Sequence, residues 1–183
     1  MLAYVFWHWS LPQVAPADYE QALRRFHAAL AQAPPAGFLR SWTHQVTGAP
    51  WVPGPIGYED WYLLDGSAAL DPLDVAAVSG RRQEAHDGAA RLAAGGTAGL
   101  YQLRAGAPLP LADSARWFGK PVGVGYADFL PNLERTVAGR PFAVWMRRMV
   151  LGPTPEFCLH VAGAVTLPPG VTPLRVGVTP LGR

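Results

Sequence analysis

Five histidines and a sparse set of charges carry what chemistry this chain offers, and the first of them, His8, stands among aromatics in the run YVFWHW. An imidazole in an apolar pocket titrates in a useful range and can act as a general base. The same residue also fits a core position, where one hydrogen bond satisfies it. Arg40, Trp42 and His44 occupy alternate positions of FLRSWTHQV, so in a strand they share one face. A guanidinium and an imidazole on one face can steady an anion or an enolate, which makes His44 and Arg40 catalytic candidates beside His8. On an edge strand the same pair would simply face water. Trp42, Tyr62 and His86 are the candidate ligand contacts: two aromatics from neighbouring strands, and a helical imidazole flanked by Glu84 and Asp87.

Other chemistry is poorly served. The single cysteine, Cys158, cannot form an internal disulfide, and in EFCLHV it reads as a buried, inert thiol. Cys158 and His160 alternate on one strand face, but with no second cysteine a thiolate metal site is not indicated, and no metal is assigned. GKPVGVG at Gly119–Gly125 lacks the phosphate-loop spacing, and no Gly-x-Ser-x-Gly is present. No cofactor is named by any motif. The net charge of +2 is scattered, with no basic run longer than two, so nucleic acid is not an expected partner.

These residues must be held by elements that can be read from periodicity. Leu2–Trp9 is apolar on both alternating faces, which predicts a strand buried on both sides and lying inside a sheet. Tyr19, Leu23, Phe26 and Leu30 form one helical stripe behind Pro16. Phe38–Val46 and Glu59–Leu64 are strands joined across the Pro- and Gly-rich loop Thr47–Gly57. A helix begins at Asp71–Pro72, breaks near Gly80, and resumes from Arg81 to Ala94, where Gly95–Gly96 stop it. Gly99–Arg104 is a short fourth strand. Ala105–Val124 reads as an irregular connector, followed by a helix over Tyr126–Ala138, a hairpin of Phe142–Val150 with Phe157–Val161, and one more strand within Leu174–Val178.

The first 105 residues therefore run β-α-β-β-α-β, the split βαβ or ferredoxin-like order. The remainder, from residue 106, reads as the connector and a degenerate second unit. A faint internal echo supports this: FLRSWTHQVTG at Phe38–Gly48 is answered by FAVWMRRMVLG at Phe142–Gly152, and Glu59, Gly66, Leu70 and Pro72 by Glu156, Gly163, Leu167 and Pro169. Two such units packed sheet to sheet make an α+β fold with a barrel-like core that could enclose a pocket. In element order the first hundred residues resemble the dimeric α+β barrel superfamily, in which two ferredoxin-like units pack their sheets together; the rest of the chain follows it poorly. That resemblance implies a fold shared by cofactor-free monooxygenases, haem-handling enzymes and isomerases, and transfers no single activity.

Half of the residues are apolar and only 15% charged, so much surface is buried or meets a partner, a second copy of the chain included. The N-terminal run LAYVFWHW is too short for a membrane span and lacks a preceding basic residue, so no membrane association is expected and the chain reads as cytoplasmic. The expected partner is a small apolar or aromatic molecule. Two functions stay open: a cofactor-independent oxygenase or isomerase using a histidine base, or a non-catalytic ligand-binding or oligomerisation module.

Overall fold

The structure, a computed structural model, describes residues 1–110, 112–149 and 152–182. Among these residues eight strands close into one antiparallel barrel, and four α-helices lie outside it. In chain order these are β1 (Leu2–Ser10), α1 (Pro16–Gln32), β2 (Phe38–Thr47), β3 (Gly57–Leu64), α2 (Leu70–Ala77), α3 (Gln83–Ala90), β4 (Ala93–Gly106), β5 (Ser114–Phe118), α4 (Tyr126–Val137), β6 (Phe142–Arg148), β7 (Phe157–Val161) and β8 (Leu174–Pro180). Around the ring the order is β4-β1-β3-β2-β8-β5-β7-β6, with β6 returning to β4. β1 is interior, paired with β3 on one side and β4 on the other. β2 pairs with β3, and β6 with β7, as antiparallel neighbours. Val150, expected at the end of β6, lies outside the described residues.

Three sequence readings need correction. The connector Ala105–Val124 contains β5, whose five residues are all buried; a strand that short, hidden on both faces and flanked by Pro and Gly, shows no periodicity to find. Gly95–Gly96 does not stop a helix but lies inside β4. A side chain at Gly96 would meet the Phe6 ring at 2.4 Å, and one at Gly95 the Trp9 ring at 2.8 Å, so both glycines admit aromatic rings from β1. β2 is not an edge, because closure pairs its end, His44–Thr47, with β8.

The barrel interior is filled, not hollow. All seven tryptophans of the chain gather there. Trp7, Trp61, Trp117 and Trp145 are fully buried, Trp51 nearly so, and Trp9 and Trp42 pack against them from the rims. Indole rings of this size use the space a ligand would need, so the expected pocket inside the barrel is replaced by an aromatic core. On the outer surface, α4 seals the β5–β7–β6 side with Phe129, Leu133 and Val137 against Phe118, Phe157 and Leu159. The β1–β3 side is covered differently. α1 lies directly on it through Leu23, Phe26 and Leu30, while α2 and α3 stand further off and leave a cavity beneath them.

Candidate functional site

The cavity encloses about 690 Å³ between the outer face of β1 and β3 and the helices α1, α2 and α3. Alternation in β1 sends Tyr4, Phe6 and His8 outward to its wall while Val5 and Trp7 point into the barrel. β3 contributes Asp60 and Tyr62 by the same rule, and α1 adds Tyr19, Leu23 and Phe26 from one stripe. His86 of α3 lies at the rim, 5.5 Å from the Phe26 ring, with Nδ1 3.1 Å from Asp87 Oδ1.

Asp60, 2% exposed, is the hub of the polar wall. Its Oδ1 accepts the Thr43 hydroxyl at 2.7 Å and lies 3.2 Å from His27 Nε2. Its Oδ2 accepts the Tyr62 hydroxyl at 2.8 Å and lies 3.3 Å from His8 Nε2. Each imidazole is held at its other nitrogen: His8 Nδ1 is 2.7 Å from the Tyr19 hydroxyl, and His27 Nδ1 is 2.6 Å from the Ser41 hydroxyl. A carboxylate thus joins two histidines, each oriented by a hydroxyl. Burial disfavours the Asp60 anion, but the electrostatic and hydrogen-bonding pull of the His27 and His8 side chains outweighs it and holds the carboxyl well below its usual range. Burial, with Asp60 nearby, pushes the phenols of Tyr19 and Tyr62 up, so both remain protonated donors.

The sequence candidates separate into two groups. His8, Tyr62 and His86 line this cavity. Arg40, Trp42 and His44 share a face of β2 as their spacing implied, but it is the barrel side. Arg40 is exposed, its Nη2 donating to Pro108 O at 3.4 Å and its guanidinium 5.4 Å over Trp42. Trp42 stacks on Trp61 at 6.0 Å. His44 is fully buried beside Glu59, at 3.4 Å, and donates through Nε2 to Pro110 O at 2.9 Å. None of the three reaches the outer cavity, because a whole sheet thickness intervenes.

Glu59 makes a second, internal cluster. Its carboxylate accepts the indole N–H of Trp7 at 2.8 Å and of Trp61 at 2.7 Å. Burial opposes its ionisation, yet the His44 and His160 side chains and the Trp61 donor leave its pKa below the usual carboxylate value. His160, with no exposure, has its pKa lowered to about 4, chiefly by burial, and burial raises the Cys158 thiol. Among the described residues, no group of three or more His, Cys, Asp and Glu side chains is arranged to hold a metal.

Sequence reasoning missed Asp60, Tyr19 and His27. A signal existed for each: EDWYLL sets two acids in an otherwise apolar strand, and Tyr19, Leu23 and His27 recur every four residues along one helix line.

No protein-family model matches the sequence, and no curated protein matches it. Among solved structures, a protein described as a candidate chlorite dismutase matches with TM-score 0.51 at 10% identity, over 100% of this chain and 97% of that one. An anthrone oxidase-like protein matches with TM-score 0.46 at 10% identity, over 100% of this chain and 94% of that one. At this identity the likeness to the first of these is one of fold alone. Among the described residues, no helix is long and apolar enough to cross a membrane.

Proposed function

We propose that the chain binds a small, mostly apolar or aromatic molecule in the outer cavity and removes a proton from it as a cofactor-independent oxygenase or isomerase. The observation that carries this reading is the buried His8, fixed between Tyr19 and Asp60 in the wall of a cavity of about 690 Å³. That volume suits a drug-sized ligand, and the few polar groups converge on one region of an apolar lining. The Tyr19 hydroxyl accepts the ligand proton as it passes its own to His8 Nδ1, and Asp60 stabilises the imidazolium that results. The remaining enolate is steadied by Tyr19 and reprotonates at a different carbon, or reacts with dioxygen as co-substrate. Arg40, suggested by spacing for the anion, is replaced in this role because it lies on the opposite side of the sheet.

The two halves of the barrel support placing function in the first. We read the strand orders β4-β1-β3-β2 and β8-β5-β7-β6 as two ferredoxin-like sheets descended from one unit. Matched through their pairings, Trp7 corresponds to Trp117, and the polar set His8, Thr43, Asp60 and Tyr62 corresponds to Phe118, Val144, Leu159 and Val161. The first face keeps a hydrogen-bonded network at these four positions, while the second has hydrocarbon at all four and places its buried polar side chain, Arg116, where the first has Phe6. The residue matches of the sequence echo do not coincide with this register: Phe142 takes the place of Ser41, not Phe38, and β2 shifts register between Phe38 and Arg40.

A second reading, a ligand carrier without catalysis, draws on one feature: both nitrogens of His8 and of His27 already have neighbours within 3.3 Å. Native mass spectrometry and an absorption spectrum of protein purified from its own host would identify a retained ligand. Incubating that ligand in D2O should then exchange one acidic C–H with wild-type protein and not with His8→Gln. Exchange that is equal in both would discard His8 as the base and leave the carrier.

A further inference from the structure

The charges that line the cavity are out of keeping with the chain that forms it. The protein holds fifteen Lys and Arg against thirteen Asp and Glu, yet among the described residues no Lys or Arg lines the cavity, and three carboxylates do: Asp60, Asp71 and Asp74. Asp60 is matched by His8 and His27. Asp71 and Asp74 are not matched in this way. They sit three residues apart on α2, where side chains share a face, and both are exposed at the cavity rim. Two like charges so placed repel each other unless a cation lies between them. Asp71, in the first turn of α2, also favours the helix dipole; Asp74 stands beyond that turn and gains nothing from it.

The walls point the same way. Tyr4, Phe6, Phe26 and Tyr62 line the cavity with aromatic rings, whose negative faces can attract a cation and give nothing to a carboxylate. Tyr4 feels the carboxylates directly: its phenol is raised by burial and then by Asp60 and Asp74. His86, at the same rim, has Nδ1 3.1 Å from Asp87 Oδ1.

Building on the reading that this cavity is the ligand site, we propose that its ligand is a cationic amphiphile: an aromatic or alicyclic body bearing a protonated amine. The body lies along Phe6, Leu23, Phe26 and Tyr62 with its acidic proton towards Tyr19 and His8, and the ammonium projects to Asp71 and Asp74. A carboxylate of the same shape is rejected, because entry would place an anion among three others with no guanidinium or ammonium to receive it.

The test uses three probes on one framework, naphthylethylamine, naphthylethanol and naphthylacetate, titrated against the full chain by calorimetry at low ionic strength. The neutral alcohol reports the cavity; the two ions report its charge preference. The amine is expected to bind at least about tenfold tighter than the acetate, with the alcohol between them. In the Asp71→Asn, Asp74→Asn double variant that ratio should fall several-fold while alcohol affinity holds, and a melting curve checks that the exposed substitutions leave the fold intact. Acetate binding equal to or tighter than the amine, with the alcohol bound, overturns the cation preference and spares the cavity. A preference that survives the double variant unchanged overturns the role of Asp71 and Asp74. Failure of all three probes to bind overturns both the preference and the cavity as a ligand site.

Discussion

Glu59 and Asp60 are consecutive residues of β3 that face opposite ways: Glu59 lies inside the barrel against Trp7 and Trp61, and Asp60 lies outside it between His8 and His27. Both are buried, at 0% and 2% exposure. A strand that carries a carboxylate on each face is fixed in register, since a slip of one residue would bring Asp60 among indoles and Glu59 among imidazoles placed for another geometry. The two acids therefore make separable predictions.

Replacing Asp60 by Asn removes the charge that His8 and His27 share. Breaking a buried charge arrangement at one partner costs on the order of 3–5 kcal/mol, and urea denaturation of Asp60→Asn should show a loss of that size. The native Asp60 pKa is depressed, so its stabilisation is complete above the unfolded value and is lost as pH falls through the native one. The wild type should accordingly lose stability below about pH 4 more steeply than Asp60→Asn does.

His160 acts in a higher pH window. Its native pKa of about 4 lies below the ordinary 6.5, so between these values the unfolded chain binds the proton and the folded one does not. Stability is complete above pH 6.5 and declines towards pH 4, by roughly 3 kcal/mol in all at ~1.4 kcal/mol per pKa unit. His160→Phe should flatten this limb of a stability-against-pH curve. A curve unchanged by the substitution would mean that His160 titrates normally.

Removing the Tyr19 hydroxyl tests the cavity network without opening a large void. In Tyr19→Phe, His8 Nδ1 loses its 2.7 Å partner while buried, a cost of about 1–3 kcal/mol in chemical denaturation. The same variant should slow any proton exchange that the protein catalyses on a bound ligand.

Gly96→Ala should be disproportionately harmful for a single methyl. The added carbon would lie 2.4 Å from the Phe6 ring and 2.9 Å from the Trp7 carbonyl, and overpacking of this kind costs about 1–3 kcal/mol. Because Phe6 and Gly96 both line the cavity, affinity for the naphthylethanol probe should fall together with the melting temperature.

Much of the frame was legible in the sequence because its signals are local. β1 declared itself through apolar residues on both faces, α1 through Tyr19, Leu23, Phe26 and Leu30, and the β2–β3 hairpin through two alternating runs around a Pro- and Gly-rich loop. What was not legible depends on partners distant in the chain. Gly95–Gly96 reads as a stop until the rings of Phe6 and Trp9 are placed above it. Trp42 and His44 do share a face, but whether that face looks into the barrel or out to the helices is decided by closure against β8, which no spacing in FLRSWTHQV reports. Asp60 escaped notice for a similar reason: an acid in a strand looks solvated until the two imidazoles that lie against it, from β1 and α1, arrive from elsewhere.

Strand pairing is unequal around the ring. β1 is matched along Leu2–His8 by β3 and along Leu2–Ser10 by β4, whereas β5 is matched to β7 only over Ala115–Phe118 and to β8 only over Ser114–Trp117. Amide deuteration should therefore reach β5 and β8 well before β1 and β3, with partial opening confined to the α4 side. In chain order the long ladders are also synthesised first, so the early half can collapse into a scaffold and the later half can zip onto its two free borders, β2 and β4. Assembly in that sequence leaves the cavity wall, made wholly from the early half, in place before the ring is shut.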